Sequence, residues 1–582
     1  MLNDPRLILQ SFIWRKKWAY LLSILSIIIS EMVTVQFPNL IGKFTDLLSR
    51  GQLTTAGVLH YTWLLALVGV TYVILYGFGQ FRNGQIGRQF EYELRKRLFI
   101  HWETLHTGYF RKRSVGDLLN HAMNDVRAVR EAMSGGLNIL TNSIFLLITT
   151  LFMTFTTISV SLTLVSIIPL IFVPFFIVWW GPRIRLASRH VQESLSTMAD
   201  LSEESLASIR LIKTTGNERV EVGRFTKTVD TILMRQMDMF KRSALFQSFI
   251  PLMGSLSFAI ALIYGGYLTV NHQIQLGMFV AFTLYLTMII TPLQQIGFVI
   301  NNFQRASASM ARLRILLMEQ PEIVDLPNAK TLRDAKGEVS IHLDAFSYPD
   351  SLEPVLKQIH IRLQAGQTLG IVGRTGAGKT TLVNLLPRIF DPPDGSVFLD
   401  GEDVKTIKLT DLRSAIAYVP QDGFLFSAKV AENIGFGKKN PLFEEIETTS
   451  KDAHIYDDII GFSRQFDTEI GERGIALSGG QKQRTAMARA FIKDAAILIL
   501  DDSLSAVDMV TEKKIIERIR ELRVGKTTII VAHRLSAVRH ADHIVVLDKG
   551  QIHEQGTHAT LLNNQGIYAD IWRLQSEGEE WT

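Results

Sequence analysis

Six long apolar runs, all before residue 305, limit what this chain can fold into. A bilayer core takes about 20 apolar residues per helical span. The runs lie near Trp18 to Ile41, Tyr61 to Phe81, Leu137 to Phe155, Ile158 to Trp180, Leu245 to Val270 and Leu276 to Val299. The 47% hydrophobic content and a positive mean hydropathy agree with a chain largely out of water. An even count returns both ends to one side. The clusters Arg15-Lys16-Lys17, Arg95-Lys96-Arg97, Arg111-Lys112-Arg113 and Arg183/Arg185/Arg189 all fall on that side, which the positive-inside rule makes cytoplasmic. No small-residue cleavage site precedes the first run, so it is expected to be kept.

Roughly 55 to 65 residues of charged sequence join spans two and three, and again four and five, with helical periodicity as in "RQFEYELRKRLFIHWETL" from Arg88 to Leu105. At about 1.5 Å per residue, such arms would extend the membrane helices on the order of 40 Å. Their tips, at 108 to 120 and 207 to 221, break the pattern with glycine and basic residues. After the sixth span "QPEIVDLPNAKTLRDAKGE" carries two prolines and mixed charge and reads as a linker. From Val339 short β-branched runs alternate with helical stretches. The expected organisation is an α-helical transmembrane domain of six spans (1–320), a linker (321–338) and an α/β P-loop nucleotide-binding domain (339–582). With no cysteine, thiolate metal sites, disulfides and a cysteine nucleophile are excluded. A net charge of +5 is mild for 582 residues, and six spans set aside a soluble nucleic-acid enzyme.

"LGIVGRTGAGKTTLVNLL" joins an apolar strand, a glycine-rich turn and a helix start, and fits G-x-x-x-x-G-K-[ST]. Its residues Gly373, Arg374, Thr375, Gly376, Ala377, Gly378, Lys379, Thr380 and Thr381 are the expected nucleotide contacts. Glycines let backbone N–H groups turn toward phosphate oxygens, the helix amino terminus adds positive potential, and Lys379 reaches the outer phosphates. Thr380 offers a hydroxyl to Mg²⁺. Downstream, the apolar run Ala496 to Leu500 ends in Asp501, an acid placed to hold hydrated Mg²⁺.

Between these motifs "LSGGQKQRTAMARA", Leu477 to Ala490, resembles the signature of ATP-binding cassette proteins. Other pieces follow in the family's order. Tyr348 resembles the aromatic that stacks on adenine, and Gln421 in "YVPQDGFLF" the glutamine that touches the metal. "TEIGERG" (468 to 474) resembles a loop of the family's exporters, Ser505 to Asp508 a dimer-contact loop, and His533 the histidine that senses the γ-phosphate. The resemblance spans the chain and implies an exporter-type half-transporter. It further implies that Ser478, Gly479, Gly480 and Gln481 cap the γ-phosphate of ATP held on a second cassette, so that a working unit is a dimer. Helix amino termini suit that role.

The same resemblance makes Asp502 conspicuous, because family members that hydrolyse ATP efficiently usually carry glutamate there. Aspartate keeps the charge but pulls it back by on the order of 1 Å, a displacement that can cost about 100-fold. Two readings follow. In one, this chain lines the slow site of a heterodimer whose partner carries the glutamate, with Asp502, His533 and Gln421 as its catalytic groups. In the other, a homodimer has two equal, slow sites. The expected cargo is a small hydrophobic or amphipathic compound, including drugs, exported through the cytoplasmic, bacterial inner membrane. Lipid, peptide or siderophore cargo, an ATP-gated channel and a regulatory membrane ATPase remain alternatives. No peptidase-like domain precedes the first span, which argues against a processing peptide exporter. Glu31, inside the first span, is either a functional group or a partner for a polar or basic neighbour. Gln36, Asn138 and Asn142 could line a cavity or bond neighbouring helices.

Overall fold

The computed structural model describes residues 4–349, 351, 353–471 and 476–579. Two compact units emerge, one of Met1–Glu103 with Arg113–Glu319, the other of Thr104–Lys112 with Gln320–Thr582.

In the first unit, six helices of the described residues are long and apolar enough to cross a membrane: Lys17–Ser49, Thr55–Thr104, Val115–Thr157, Val160–Ala207, Glu218–Val270 and Leu276–Met318. Apolar spans run without a stop into charged arms. Thr55–Thr104 alone, at 50 residues, is about 75 Å long, against a bilayer core of about 30 Å. Two expected boundaries shift. The first run is interrupted at Val35, giving Lys17–Thr34 and Gln36–Ser49. Pro38 falls in the first turn of the second segment, where its missing N–H would have had no helical partner. The fourth helix starts at Val160 rather than Ile158, because Ser159 is its cap and accepts from the Leu162 N–H.

Polar side chains tie these helices together. Ser23 Oγ donates to the Gly79 carbonyl at 2.6 Å and Ser26 Oγ to Leu75 at 2.8 Å. Asn83 bonds Asn138 at 2.6 Å, and Ser143 donates to Gln295 Oε1 at 2.8 Å. Asn142 Nδ2 donates to Glu31 Oε1 at 2.6 Å. Glu31 is buried and meets no basic group among the described residues, so its pairing is polar, not ionic. Phe152, Phe175, Trp179 and Ile263 are among many large apolar side chains left exposed, as lipid-facing surfaces are.

The second unit is built on a six-stranded sheet with strand order β12-β11-β3-β10-β9-β6. Its strands are β3 (Thr368–Gly373), β6 (Ile416–Val419), β9 (Ile497–Asp501), β10 (Thr527–Val531), β11 (His543–Asp548) and β12 (Gln551–Gly556). Neighbours pair in parallel except β12, antiparallel at the edge. Strands covered on both faces read as continuous apolar runs, and β9 and β10 are buried at every residue. Alternation sorts their side chains. Ile497 and Ile499 of β9 join one core with β1 (Val339–Phe346), β2 (Leu356–Leu363) and the helix Lys379–Leu385, whereas Leu498 and Leu500 join the other with the helix Gly479–Phe491. An antiparallel sheet of order β2-β1-β4-β5 is completed by β4 (Val397–Leu399) and β5 (Glu402–Asp403).

The stretch read as a linker is largely irregular but tied to this unit. Asp325 Oδ1 accepts from the Leu409 N–H at 2.7 Å, Lys330 Nζ lies 2.6 Å from Glu402, and Asp400 Oδ1 accepts from the N–H groups of Gly337 and Glu338 at 2.9 and 2.8 Å. The charged residues Asp325 and Lys330 of this stretch supply partners for two of these bonds.

Candidate nucleotide site

Ligands of open parallel sheets gather beyond the carboxyl ends of the strands, and the motif residues converge there. β3 ends in Gly373, β9 in Asp501, β10 two residues before His533, and β6 two residues before Gln421. Val419 pairs with Leu500, so Gln421 comes level with Asp502. Val531 pairs with both Asp501 and Ile371, bringing His533 and the phosphate loop to the same edge.

The loop Gly373–Gly378 has the backbone that its glycines permit. Gly378 adopts φ +95°, and a Cβ there would stand 2.8 Å from Leu356 Cδ2. Lys379 then opens the helix Lys379–Leu385. Its Nζ donates to the carbonyls of Gly373 and Arg374 at 2.8 and 3.0 Å. Burial holds the lysine pKa below its usual value against the upward pull of Asp502 and Asp501.

Thr380 Oγ1 donates to Asp501 Oδ1 at 2.9 Å. The other carboxylate oxygen accepts from the Tyr418 hydroxyl at 2.9 Å, itself 3.0 Å from Asn384 Oδ1. Burial raises the Asp501 pKa, with the Tyr418 and Thr380 donors opposing it and the charge of Asp502 adding to it. Burial and the Asp501 charge push the Tyr418 phenol well up, so that it stays a donor. A hydroxyl and a carboxylate side by side suit Mg²⁺, a hard cation that takes one or two protein oxygens plus phosphates and water. No cluster of three metal-binding side chains exists among the described residues, which fits that sparse ligand set.

Asp502 is nearly buried, with Gln421 Nε2 3.2 Å and His533 Nε2 3.9 Å from its Oδ2. The three expected catalytic groups therefore face one another. Tyr348 is held by its hydroxyl, 2.8 Å from Thr381 Oγ1, and by edge-on contacts with Phe346 and Phe390. The Arg111 guanidinium lies 5.7 Å from its ring centroid.

Ser478 caps the signature helix in a capping box: its Oγ accepts from the Gln481 N–H at 3.3 Å, and Gln481 Oε1 accepts from the Ser478 N–H at 3.0 Å. Gln481 Nε2 also donates to Asp458 at 2.8 Å. Gln481 thus holds the helix start, and the Gly479 and Gly480 N–H groups lie in the first turn, where N–H groups have no acceptor within the helix. A Cβ on Gly480 would stand 2.9 Å from the Ala506 carbonyl oxygen, so glycine there lets the loop Ser505–Asp508 pack closely. That loop is fixed by Gln483, whose Oε1 accepts from the Ala506 N–H at 3.0 Å, and ends at Asp508, which caps the helix Met509–Leu522. Of "TEIGERG", Glu472, Arg473 and Gly474 lie outside the described residues.

Three positioning groups escape a motif reading. Tyr418 opens the very stretch that contains Gln421, but a tyrosine at a strand end carries no signal by itself. Glu512, buried, accepts from Arg534 at 2.9 Å and Ser536 at 2.7 Å. Gln575 donates to the His533 carbonyl at 2.8 Å and accepts from the Leu535 N–H at 2.9 Å. Both act over long sequence separations that no local pattern marks.

Known proteins give the same picture. The family model "ABC transporter transmembrane region" matches residues 20–293, and "ABC transporter" matches 356–505. The "Probable multidrug resistance ABC transporter ATP-binding/permease protein YheI" of Bacillus subtilis (strain 168) is 35% identical, over 96% of this chain and 95% of that protein. The "Multidrug resistance-like ATP-binding protein MdlA" of Escherichia coli (strain K12) is 34% identical over 97% and 96%. An "ATP-dependent lipid A-core flippase" of Syntrophus aciditrophicus (strain SB) is 32% identical over 88% and 85%. A solved bacterial Atm1-family ABC exporter with ATP bound superposes with a TM-score of 0.80 at 26% identity, covering 96% of this chain and 98% of the other.

Proposed function

Because the chain belongs to the ATP-binding cassette transporter family, as an exporter-type half-transporter that dimerises in a membrane and couples ATP hydrolysis to transport, we propose that it exports hydrophobic or amphipathic compounds as one half of a heterodimer. The nucleotide domain and both termini face the cytoplasm of a bacterial inner membrane in this reading. The observation that carries it is Asp502, one methylene shorter than glutamate, at the carboxylate position of an otherwise complete half-site, beside Gln421 and His533.

ATP binding begins with Lys379, whose Nζ moves from the Gly373 and Arg374 carbonyls to the outer phosphates. A lysine held by neutral carbonyls gains a charged partner there. Tyr348 offers its ring to adenine. Thr380 and Asp501, with Gln421, would hold Mg²⁺, which when bound neutralises charge developing on the phosphates. Asp502 polarises the attacking water and His533 stabilises the γ-phosphate. The shorter arm of Asp502 makes this site slow. Its signature, Ser478 to Gln481, completes a faster site on the partner, which carries glutamate. The multidrug names of the relatives support the cargo class; the lipid flippase keeps lipid as a second candidate.

Affinity purification from native membranes, with intact-complex mass spectrometry, tests the pairing. The expected result is an unlike half-transporter at a one-to-one ratio. A dimer of this chain alone that hydrolyses ATP would make aspartate a sufficient catalytic carboxylate and end the heterodimer reading.

A further inference from the structure

The N-terminal helix Pro5–Arg15 and the first, third and sixth membrane helices line an open-sided cavity of about 480 Å³ within the first unit. That volume lies in the range of ligand sites, about 300–1,000 Å³. Ile24, Val129, Leu137 and Ala306 contribute to an almost wholly apolar wall. Arg6, Tyr20 and Ser307 are its polar lining residues. Tyr20 is 7% exposed, and its hydroxyl is buried without a hydrogen-bond partner. Arg6 lines the same cavity, is exposed and makes no ion pair among the described residues. The Tyr20 hydroxyl itself has no accessible surface, so Tyr20 presents its ring to the cavity, and Arg6 is the one charged side chain among the described residues that lines it.

The surroundings identify the solvent on that side. Trp14 and Trp18 are 71% and 73% exposed, Lys17 Nζ sits 4.0 Å from the Trp14 ring centroid, and Arg15, Lys16 and Lys17 are consecutive. Exposed tryptophans beside a basic run at the foot of a membrane helix mark a bilayer interface and attract anionic headgroups. The nearby acids are already engaged: Asp4 caps the N-terminal helix and pairs with Arg314 at 3.1 Å, and Glu93 pairs with Arg15 and Arg97 at 3.0 and 2.8 Å. Arg6 keeps its charge for a ligand.

We propose that this cavity holds a resident anionic phospholipid drawn from the leaflet beside the basic run. An acyl chain lies against Ile24, Val129, Leu137 and Ala306, and the headgroup phosphate meets Arg6. The lipid is a structural ligand of the half-transporter, separate from exported cargo, so the inference stands whatever the cargo proves to be.

The purified complex, reconstituted in nanodiscs of equal parts palmitoyl-oleoyl phosphatidylglycerol and phosphatidylcholine and released for native mass spectrometry, supplies the test. Wild type is expected to retain phosphatidylglycerol in preference to phosphatidylcholine, and to keep it through turnover with MgATP. Arg6→Glu, on an exposed side chain that folding does not need, lowers that preference about fivefold. Ala306→Trp fills the cavity and removes both lipid adducts. Equal retention of the two lipids by wild type, an unchanged preference in Arg6→Glu, or full retention in a folded Ala306→Trp, as a partner helix covering the cavity would give, overturns the proposal. Loss of the adduct on ATP turnover would identify the lipid as cargo and overturn its resident role.

Discussion

One hydroxyl sets the electrostatics of the proposed Mg²⁺ ligand. Tyr418 donates to Asp501 Oδ2 at 2.9 Å, opposing the upward pull of burial on the carboxyl pKa. A carboxyl with a raised pKa keeps its proton to higher pH, and a proton on Asp501 competes with the metal. Metal affinity therefore falls as pH drops toward the raised value. Tyr418→Phe removes an opposing donor and moves that loss to higher pH. In the Asp502→Glu background, where this site carries more of the hydrolysis, the Mg²⁺ concentration for half-maximal ATPase activity is expected to rise about tenfold, as when a group supporting a metal ligand is lost, with the acid limb of the pH profile shifted upward. Magnesium titrations of both proteins from acid to neutral pH check this. An unchanged acid limb would remove Tyr418 from the account.

The C-terminal helix Ile567–Glu579 bears on hydrolysis although it contains none of the family's motifs. Its Gln575 brackets the backbone of the His533 loop, and Glu512 on the helix Met509–Leu522 holds Arg534 and Ser536 from another side. A loop held by two helices fixes the position of His533, the proposed γ-phosphate contact. Gln575→Ala frees one side. Turnover is expected to fall about tenfold, short of the roughly 100-fold that a 1 Å misplacement can cost, with KM for ATP unchanged because Lys379 and Tyr348 bind it. Gln575→Glu keeps the acceptor toward Leu535 but loses the donor, and falls between. The assay uses the Asp502→Glu background, in which this site carries more of the hydrolysis. A rise in KM matching the loss in turnover would point instead to general damage to the cassette.

At the scale of the assembled molecule, Asp502 is the residue on which the proposed difference between the two sites rests. Its backbone sits at φ +49°, a left-handed conformation in which aspartate is enriched, so Asp502→Glu trades some backbone ease for reach. In the purified complex this change is expected to raise the nucleotide trapped by vanadate on this chain, toward the level on the partner. No change would mean that carboxylate length does not limit the site. The sequence by itself determined the six spans, the charged helical arms, the phosphate loop and the order of the cassette motifs, because these depend on local periodicity and on residues adjacent in the chain. It did not determine the break at Val35, the polar pairing of Glu31 with Asn142, or the capping role of Gln481. Nor did it mark Tyr418, Glu512, Gln575 or the cavity at Tyr20. Apart from the break at Val35 and the cap between Ser478 and Gln481, three residues apart, these join residues from tens to more than a hundred positions apart, and which polar group meets which is settled only when helices and strands pack and each buried donor must find its acceptor.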